Sequence, residues 1–259
     1  MVSRMSDTRQ RFYIATVCLD RNRWGTRVPS FAVSGWLDRF ASDGFEGIEL
    51  WEYHYTRADD EEKGRLVSAS PIAIYNTYAS FGDDAAEARA AAASAIGDLR
   101  ASGVKYNVGK DASRLGEYRR NLVGWSEALP ATCRLLCECH PGTALERVDE
   151  AAAFFADLDP DRFGVIVHVA GDVTRVVPWL SAMGGRVRHV HVQMRGPDTD
   201  PSVPANLAPY VQCFDALKAH GYAGTFAIEF SRGIGRDEDM ELVYGNACAD
   251  LAFCREALE

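Results

Sequence analysis

A segment near the middle of the chain places a carboxylate and an imidazole at the end of an apolar strand. It covers residues 133–142, with the sequence Cys-Arg-Leu-Leu-Cys-Glu-Cys-His-Pro-Gly. Successive side chains on a strand point to opposite faces, so Glu138 and His140 share one face while Cys137 and Cys139 share the other. Carboxylates and imidazoles bind metal ions and move protons. We therefore expect chemistry where this strand ends.

Other apolar segments carry the same kinds of side chain near their ends. Sorting alternate residues onto one strand face yields a polar set that comprises Glu49, Trp51, Lys105, Asn107, His168, His189, His191, Gln193 and Glu229. Burying the acidic and imidazole members without partners would cost several kcal/mol each. A divalent cation would compensate for that cost, because carboxylates and imidazoles that converge on one point are metal ligands. The pattern therefore predicts a divalent-metal site.

The elements that must position these groups alternate along the chain. The hydrophobic pattern predicts strands at residues 12–17, 45–51, 72–76, 104–108, within 133–142, and at 163–169, 187–193 and 226–230. Helices are predicted at residues 31–42, 59–68, 83–100, 113–129, 144–158, after 172, at 206–220 and at 237–258. This alternation predicts one α/β domain, residues 1–259, folded as a single (β/α)8 TIM barrel with its active site at the C-terminal strand ends. A doubly wound open sheet is the alternative, although no glycine-rich dinucleotide motif follows the first strand.

The composition is that of a globular protein and argues against two kinds of partner. The chain has 259 residues, of which 47% are hydrophobic and 25% charged. Its net charge of -9 argues against binding to nucleic acid or to an anionic membrane. Residues 1–11 lack the apolar core of a signal peptide, and no apolar run of transmembrane length occurs. The seven cysteines predict reduced thiols in a cytoplasmic protein, with Cys137 and Cys139 packed against outer helices.

Four short motifs, in this order and spacing, resemble those of the xylose-isomerase-like TIM barrels. They are Gly-Ile-Glu-Leu-Trp at 47–51, Cys-Glu-Cys-His-Pro-Gly at 137–142, His-Val-His-Val at 189–192 and Ala-Ile-Glu-Phe at 227–230. That superfamily contains sugar isomerases, ketose epimerases, inosose-processing enzymes and an apurinic endonuclease branch. The resemblance covers nearly the whole chain and implies one divalent metal ion, often manganese. Its ligands would be a Glu, an Asp, a His and a Glu that follow strands five to eight.

Carried over by position, this ligand pattern matches Glu138, His191 and Glu229, while the Asp position falls on His168. A site with two His and two Glu ligands favours zinc, cobalt or nickel over manganese. Two further positions also depart from the family, since a substrate-contacting His is replaced by Gly171 and an acidic residue by Met194. In family epimerases the two Glu residues also exchange the substrate proton, which makes Glu138 and Glu229 the candidate catalytic residues.

Several side chains around this set are candidates for contact with substrate, namely Glu49, Trp51, Lys105, His140, Gln193, Arg195 and Arg232. Structural alternatives remain for some of them. Glu138 and Glu229 could form ion pairs with Lys105 or Arg188, and Glu49 could orient a ligand or pair with Lys105. Lys105 could also form a Schiff base. The loop 231–236 follows the last strand, where barrels often hold phosphate or carboxylate groups, or it is a surface loop.

These observations predict a metal-dependent isomerase or epimerase that acts on a small sugar, ketose or cyclitol. A homo-oligomer is compatible with the sequence, and no nucleic acid or membrane partner is expected. A metal-dependent lyase or hydrolase would use the same site. A non-catalytic, ligand-binding barrel is the alternative that Gly171 and Met194 suggest. An apurinic endonuclease is disfavoured by the net charge of -9 and by the presence of only six histidines.

Overall fold

Eight parallel strands close into a barrel in a computed structural model, which describes residues 10–70, 72–194, 206–235 and 239–259. The strands are β1 Phe12–Ala15, β2 Ile48–Trp51, β3 Ile74–Asn76, β4 Gly103–Tyr106, β5 Arg134–Glu138, β6 Phe163–Val169, β7 Val187–Gln193 and β8 Thr225–Phe230. Each strand pairs with its neighbours in sequence, and β1 also pairs with β8. The predicted (β/α)8 barrel is therefore confirmed, whereas the assignment of residues 1–259 to a single domain stays a prediction.

Helices surround the barrel between the strands. They are α1 Leu37–Ser42, α2 Glu52–Thr56, α3 Asp60–Ala69, α4 Ala86–Asp98, α5 Leu115–Glu127, α6 Val148–Phe155, α7 Val173–Met183, α8 Ala208–Ala219 and α9 Met240–Leu258. The predicted helix at 144–158 begins only at Val148, after a run of turns in which the Ala144 amide donates to the Gly109 carbonyl in the loop after β4. Within the described ranges, each helix is too short or too polar to cross a membrane.

The outward faces of the strands are mainly apolar, whereas the inward faces carry polar groups near the strand ends. Outward-facing residues such as Tyr106, Cys137 and Val190 are fully buried beneath the helices. All seven cysteines are free thiols, and the Sγ atoms of Cys137 and Cys139 lie 3.9 Å apart. Most inward-facing ionisable residues, among them Glu49, Glu138, His191 and Glu229, are buried as well, so the barrel interior holds ionisable groups that water solvates poorly.

The pairing of β7 with β8 contains an irregularity at the barrel mouth. Val192 pairs with Ile228 and Gln193 pairs with Phe230, which leaves Glu229 as the extra residue of a bulge. A β-bulge locally bends the strand and re-aims a side chain, and bulges are common beside active sites. The direction of Glu229 therefore depends on this local pairing as well as on strand alternation.

The buried carboxyl group of Asp250 predicts an unusual dependence of stability on pH. Asp250 lies on α9 with 1% of its surface exposed, and burial raises the pKa of its carboxyl from 3.8 to about 6. Between these values the folded chain binds more protons than the unfolded chain, so stability falls as the pH rises through this window. We expect Asp250→Asn to increase the free energy of unfolding by about 2–3 kcal/mol at pH 7.5 and by much less at pH 4.

Urea unfolding of both proteins at the two pH values measures this difference. Asp215→Asn, which changes an exposed carboxylate on α8, is the control and should show no such pH-dependent gain. A gain from Asp250→Asn of equal size at both pH values would contradict an ionised, destabilising carboxylate.

Candidate metal centre

Four side chains converge at the C-terminal end of the barrel, and each offers one ligand atom. Nε2 of His168 lies 3.0 Å from Oε1 of Glu138 and 3.9 Å from Oε2 of Glu229. Nδ1 of His191 lies 3.4 Å from the same Glu138 oxygen and 3.2 Å from the same Glu229 oxygen. All four atoms lie within 4.8 Å of one another. The structure thus brings together the four residues that the sequence predicted as metal ligands.

The spacing of these atoms suits a shared cation. Metal–ligand bonds of about 2.1 Å place ligand atoms about 3.0–3.4 Å apart in octahedral or tetrahedral geometry. In addition, Nδ1 of His191 is buried and has no hydrogen-bond partner among the described residues, although it faces two carboxylate oxygens. A divalent ion would satisfy this nitrogen and both carboxylates at once. The residues present therefore fit a metal ion.

Each candidate ligand comes from a strand end. Glu138 is the last residue of β5, and His168 is the last but one of β6. His191 lies two residues before the end of β7, and Glu229 occupies the bulge of β8. Strands five to eight are consecutive around the barrel, so their four ends form a continuous arc.

Glu49 holds the His191 ring from below. Its Oε2 lies 3.0 Å from Nε2 of His191 and 3.4 Å from Nε2 of His189, while its Oε1 accepts from Nδ2 of Asn76 at 3.0 Å. Glu49 and both histidines have no exposed surface. A carboxylate that binds the far nitrogen of a metal-binding imidazole fixes its tautomer and orientation. The contacts of Glu49 thus favour orientation of a ligand over an ion pair with Lys105.

Lys105 pairs with one of the predicted ligands. Its Nζ lies 2.6 Å from Oε2 of Glu138 and 5.2 Å from the centre of the Tyr78 ring. The ion-pair alternative considered for Glu138 is therefore present, although it occupies the oxygen that faces away from the histidines. Arg188, the other cation considered, instead pairs with Asp161 at 2.7 Å.

The charges in this cluster shift one another's protonation. Burial alone would raise the pKa of Glu138, but the neighbouring Lys105 ammonium helps to hold it well below its ordinary range. Burial also opposes ionisation of Glu229, whose pKa is nevertheless lowered by His191. Burial disfavours the charged His191 ring, yet Glu229 and the other carboxylates raise its pKa well above the ordinary value. Metal binding to this ring would therefore release a proton.

Besides Glu49 and Lys105, two more of the predicted substrate-contact residues border the cluster. Gln193 donates from Nε2 to Oε2 of Glu229 at 2.7 Å. The exposed His140 ring lies 5.9 Å from the His168 ring, centroid to centroid. Both residues, together with His168 and Trp179, line a cavity of about 650 Å³. A larger cavity of about 1130 Å³ lies between α1 and α3 and contains none of the candidate ligands.

The remaining candidates lie elsewhere. Trp51 is buried against Tyr53 and His54, with ring centres 4.9 and 5.2 Å away. Arg232 lies near α9, where its Nε is 3.9 Å from Asp250. Arg195 lies outside the described residues.

The two departures from the family pattern leave the mouth without further polar groups at those positions. Gly171 has a φ of +74°, and an added Cβ would lie 3.2 Å from the Tyr210 ring. Met194 is 2% exposed. At Gly171 the backbone and the space both favour glycine, since a positive φ strains other residues.

Sequence reasoning missed a buried network that joins the loops after β1 and β2. Nδ1 of His54 lies 2.9 Å from Oγ1 of Thr16, and Nε2 lies 2.9 Å from Oδ2 of Asp20. Thr16 also accepts a hydrogen bond from the Trp51 amide at 3.0 Å. The network fixes one wall of the mouth. No sequence signal links Thr16 or Asp20 to His54, because the contacts arise only when the strand ends meet.

The contact between Glu49 and His191 predicts the effect of a conservative substitution. We expect Glu49→Gln to weaken zinc binding by about 10–100-fold, because the neutral amide no longer fixes the His191 tautomer. Titration calorimetry on the metal-free protein measures the affinity. Glu52→Gln is the matched control, since Glu52 bonds to Thr77 and to the Tyr78 amide outside the cluster. Unchanged zinc affinity in a folded Glu49→Gln protein would contradict the orienting role.

Comparisons with known proteins show which solved structures share this architecture. No protein-family model matches the chain, and no curated protein matches it. Among solved structures, D-psicose 3-epimerase from Clostridium cellulolyticum H10 superposes with a TM-score of 0.69 at 13% identity, covering 96% of this chain and 99% of that one. The IolI protein with a bound zinc atom gives a TM-score of 0.66 at 12% identity, with coverage of 96% and 99%.

A third structure bears the name of the superfamily. A xylose isomerase-like TIM barrel protein from Mycobacterium smegmatis in complex with magnesium gives a TM-score of 0.61 at 17% identity, covering 98% of this chain and all of that one. At sequence identities this low, the superpositions show the fold alone and do not show the activity. The chain has the fold of the xylose isomerase-like TIM barrels, as the sequence resemblance predicted.

Proposed function

We propose that this chain is a divalent-metal-dependent isomerase or epimerase of a small sugar, ketose or cyclitol. The observation that carries the proposal is the convergence of ligand atoms from Glu138, His168, His191 and Glu229. The similarity to a named sugar epimerase and to a zinc-bound IolI protein supports it. A cavity of about 650 Å³ adjoins the cluster at His168, and a volume of this order accommodates a small-molecule substrate.

In the proposed mechanism, the four ligands hold one ion, which when bound would polarise a substrate carbonyl and acidify the neighbouring C–H bond. Glu138 and Glu229 are the candidate acid–base groups, and at least one of these carboxylates removes the proton from that carbon. Gln193 orients Glu229 through its hydrogen bond of 2.7 Å. His140 lines the cavity, and in this proposal it contacts substrate hydroxyl groups.

The composition and thiols support further proposals about the setting of this enzyme. The net charge of -9 fits a small-molecule substrate rather than nucleic acid or an anionic membrane. Seven free cysteines are compatible with the reducing cytoplasm. A homo-oligomeric assembly stays a prediction.

The imidazole at position 168 predicts the choice of metal. We expect protein purified without added metal to contain one zinc, cobalt or nickel ion per chain. His168→Asp should shift the relative affinity about tenfold from zinc towards manganese, because a carboxylate replaces a softer nitrogen ligand. Elemental analysis and competition calorimetry measure both quantities, with His140→Asp as the control that adds the same charge nearby. An unchanged zinc-to-manganese ratio in His168→Asp would contradict coordination by His168.

Proton-transfer chemistry predicts exchange of hydrogen with solvent. We expect the metal-loaded protein to incorporate deuterium from D2O at the carbon next to the carbonyl of at least one member of a ketose and cyclitol panel. Glu229→Gln at saturating metal should lower this rate by about 100-fold or more, because a general base is removed. NMR measures the exchange, and Glu146→Gln, which changes an exposed carboxylate beside the cavity, is the control.

The same experiment separates the alternatives. Bound metal without exchange on any panel member would favour the lyase or hydrolase. A chain that binds no metal would favour the non-catalytic, ligand-binding barrel.

A further inference from the structure

The two carboxylates of the candidate metal centre differ in the contacts of their oxygen atoms. We propose that Lys105 restricts Glu138 to the role of a metal ligand and that Glu229 alone moves the substrate proton. The reaction would then transfer a proton between adjacent carbons on one face of the substrate, rather than invert a stereocentre. This inference rests on the proposed function and narrows it to aldose–ketose isomerisation.

Both oxygens of Glu138 are engaged. Oε1 lies 3.0 Å from Nε2 of His168 and 3.4 Å from Nδ1 of His191, on the side where a cation fits. Oε2 lies 2.6 Å from Nζ of Lys105 and 3.3 Å from Nδ2 of Asn107, which also donates to the Glu138 carbonyl at 2.6 Å. A carboxylate with one oxygen on a cation and the other on an ammonium has no oxygen left to approach a substrate C–H bond.

Glu229 has a different environment. Its Oε2 accepts from Nε2 of Gln193 at 2.7 Å and faces His191, whereas its Oε1 has no hydrogen bond to any described residue. The bulge in β8 sets this orientation, because Glu229 is the residue left without a pairing partner. Within the described part of the chain, Oε1 of Glu229 is therefore the one carboxylate oxygen of this pair without a partner, and the proposal assigns it to the substrate.

Lys105 is held where it blocks Glu138. Lys105 is 3% exposed. On β4 it pairs with Asn76 of β3 and with Leu136 of β5. The ammonium lies between the Glu138 carboxylate and the face of the Tyr78 ring, 5.2 Å from the ring centre. Turning this charge towards a substrate would break an ion pair in a poorly solvated site, which is costly. Lys105 is thus a positioning residue that acts through Glu138.

A single free carboxylate limits the proton transfers that are possible. Glu229 takes the proton from the carbon beside the carbonyl, and the C–H electron pair forms the double bond of an ene-diol. The carboxyl group returns that proton to the former carbonyl carbon on the same face, while the hydroxyl proton passes between the two substrate oxygens. No co-reactant is consumed and all atoms balance. Inversion at one carbon would require a second proton donor on the opposite face.

A crystal structure of the zinc-loaded protein tests the restriction without any substrate. We expect Glu138 to bind zinc through Oε1 alone, with Nζ of Lys105 still within about 3 Å of Oε2. A bidentate Glu138, or a Lys105 side chain turned away from it, would overturn the inference. This result is independent of whether any sugar is turned over, so it separates failure of the inference from failure of the proposed function.

Metal binding and isotope transfer test the consequence. Lys105→Met should bind zinc about tenfold more tightly, because a like charge beside the cation is removed. Lys218→Met, which removes an exposed lysine on α8, should match the zinc affinity of the wild type.

On any sugar that exchanges deuterium, the wild type should form only the carbonyl isomer and carry part of a carbon-bound label into the product. The Lys105→Met variant should form the epimer as a second product, because its Glu138 is no longer held by the ammonium.

Two results would contradict the proposed role of Lys105. An epimer formed by the wild type, or unchanged zinc affinity in Lys105→Met, would overturn the assignment. If Lys105→Met fails to fold, Lys105→Gln and the zinc-loaded wild-type crystal decide it. A panel without exchange would count against the proposed function, and the crystal structure would still decide the role of Lys105.

Discussion

The constraint that organises this barrel is the burial of several carboxylates at its centre. Glu49, Glu138 and Glu229 are each at most 6% exposed, and each would be unstable there without compensating charge. The His191 ring and the Lys105 ammonium supply part of that compensation through contacts of 3.0 and 2.6 Å. Glu138 and Glu229 face Nδ1 of His191, on the side of the ring opposite Glu49, and a cation fits between these three groups. The upper part of the interior is therefore built around charge balance, above inward-facing apolar residues such as Leu136 and Ile166.

The fold delivers these groups because parallel strands present their C-terminal ends at one mouth. Consecutive strands supply the candidate ligands, and a deeper layer supplies Glu49, which fixes the His191 ring. The buried network of Thr16, His54 and Asp20 holds the loops on the far side of the mouth. Rigid surroundings of this kind suit a site that must keep ligand atoms within a few tenths of an ångström.

The centre differs in charge from the ligand set that the sequence resemblance implied. An imidazole stands at position 168, where that set has an Asp, and the Lys105 ammonium lies beside Glu138. Both groups make the centre less negative than a site with three carboxylates and no nearby cation. The second imidazole favours borderline metals, and among the described residues Glu229 keeps one carboxylate oxygen without a hydrogen-bond partner. The chemistry proposed for this chain follows from that asymmetry more than from the fold, which many activities share.

The sequence by itself determined the barrel and the identity of the converging groups. Alternation of side chains separates the inward Glu138 from the outward Cys137, and eight strand–helix units close the sheet. Tertiary structure alone decided which group each one contacts. The pairing of Lys105 with Glu138 rather than Glu49, and the bulge at Glu229, depend on the relative heights of neighbouring strands. Local sequence does not encode that stagger, because it arises from closure of the whole barrel.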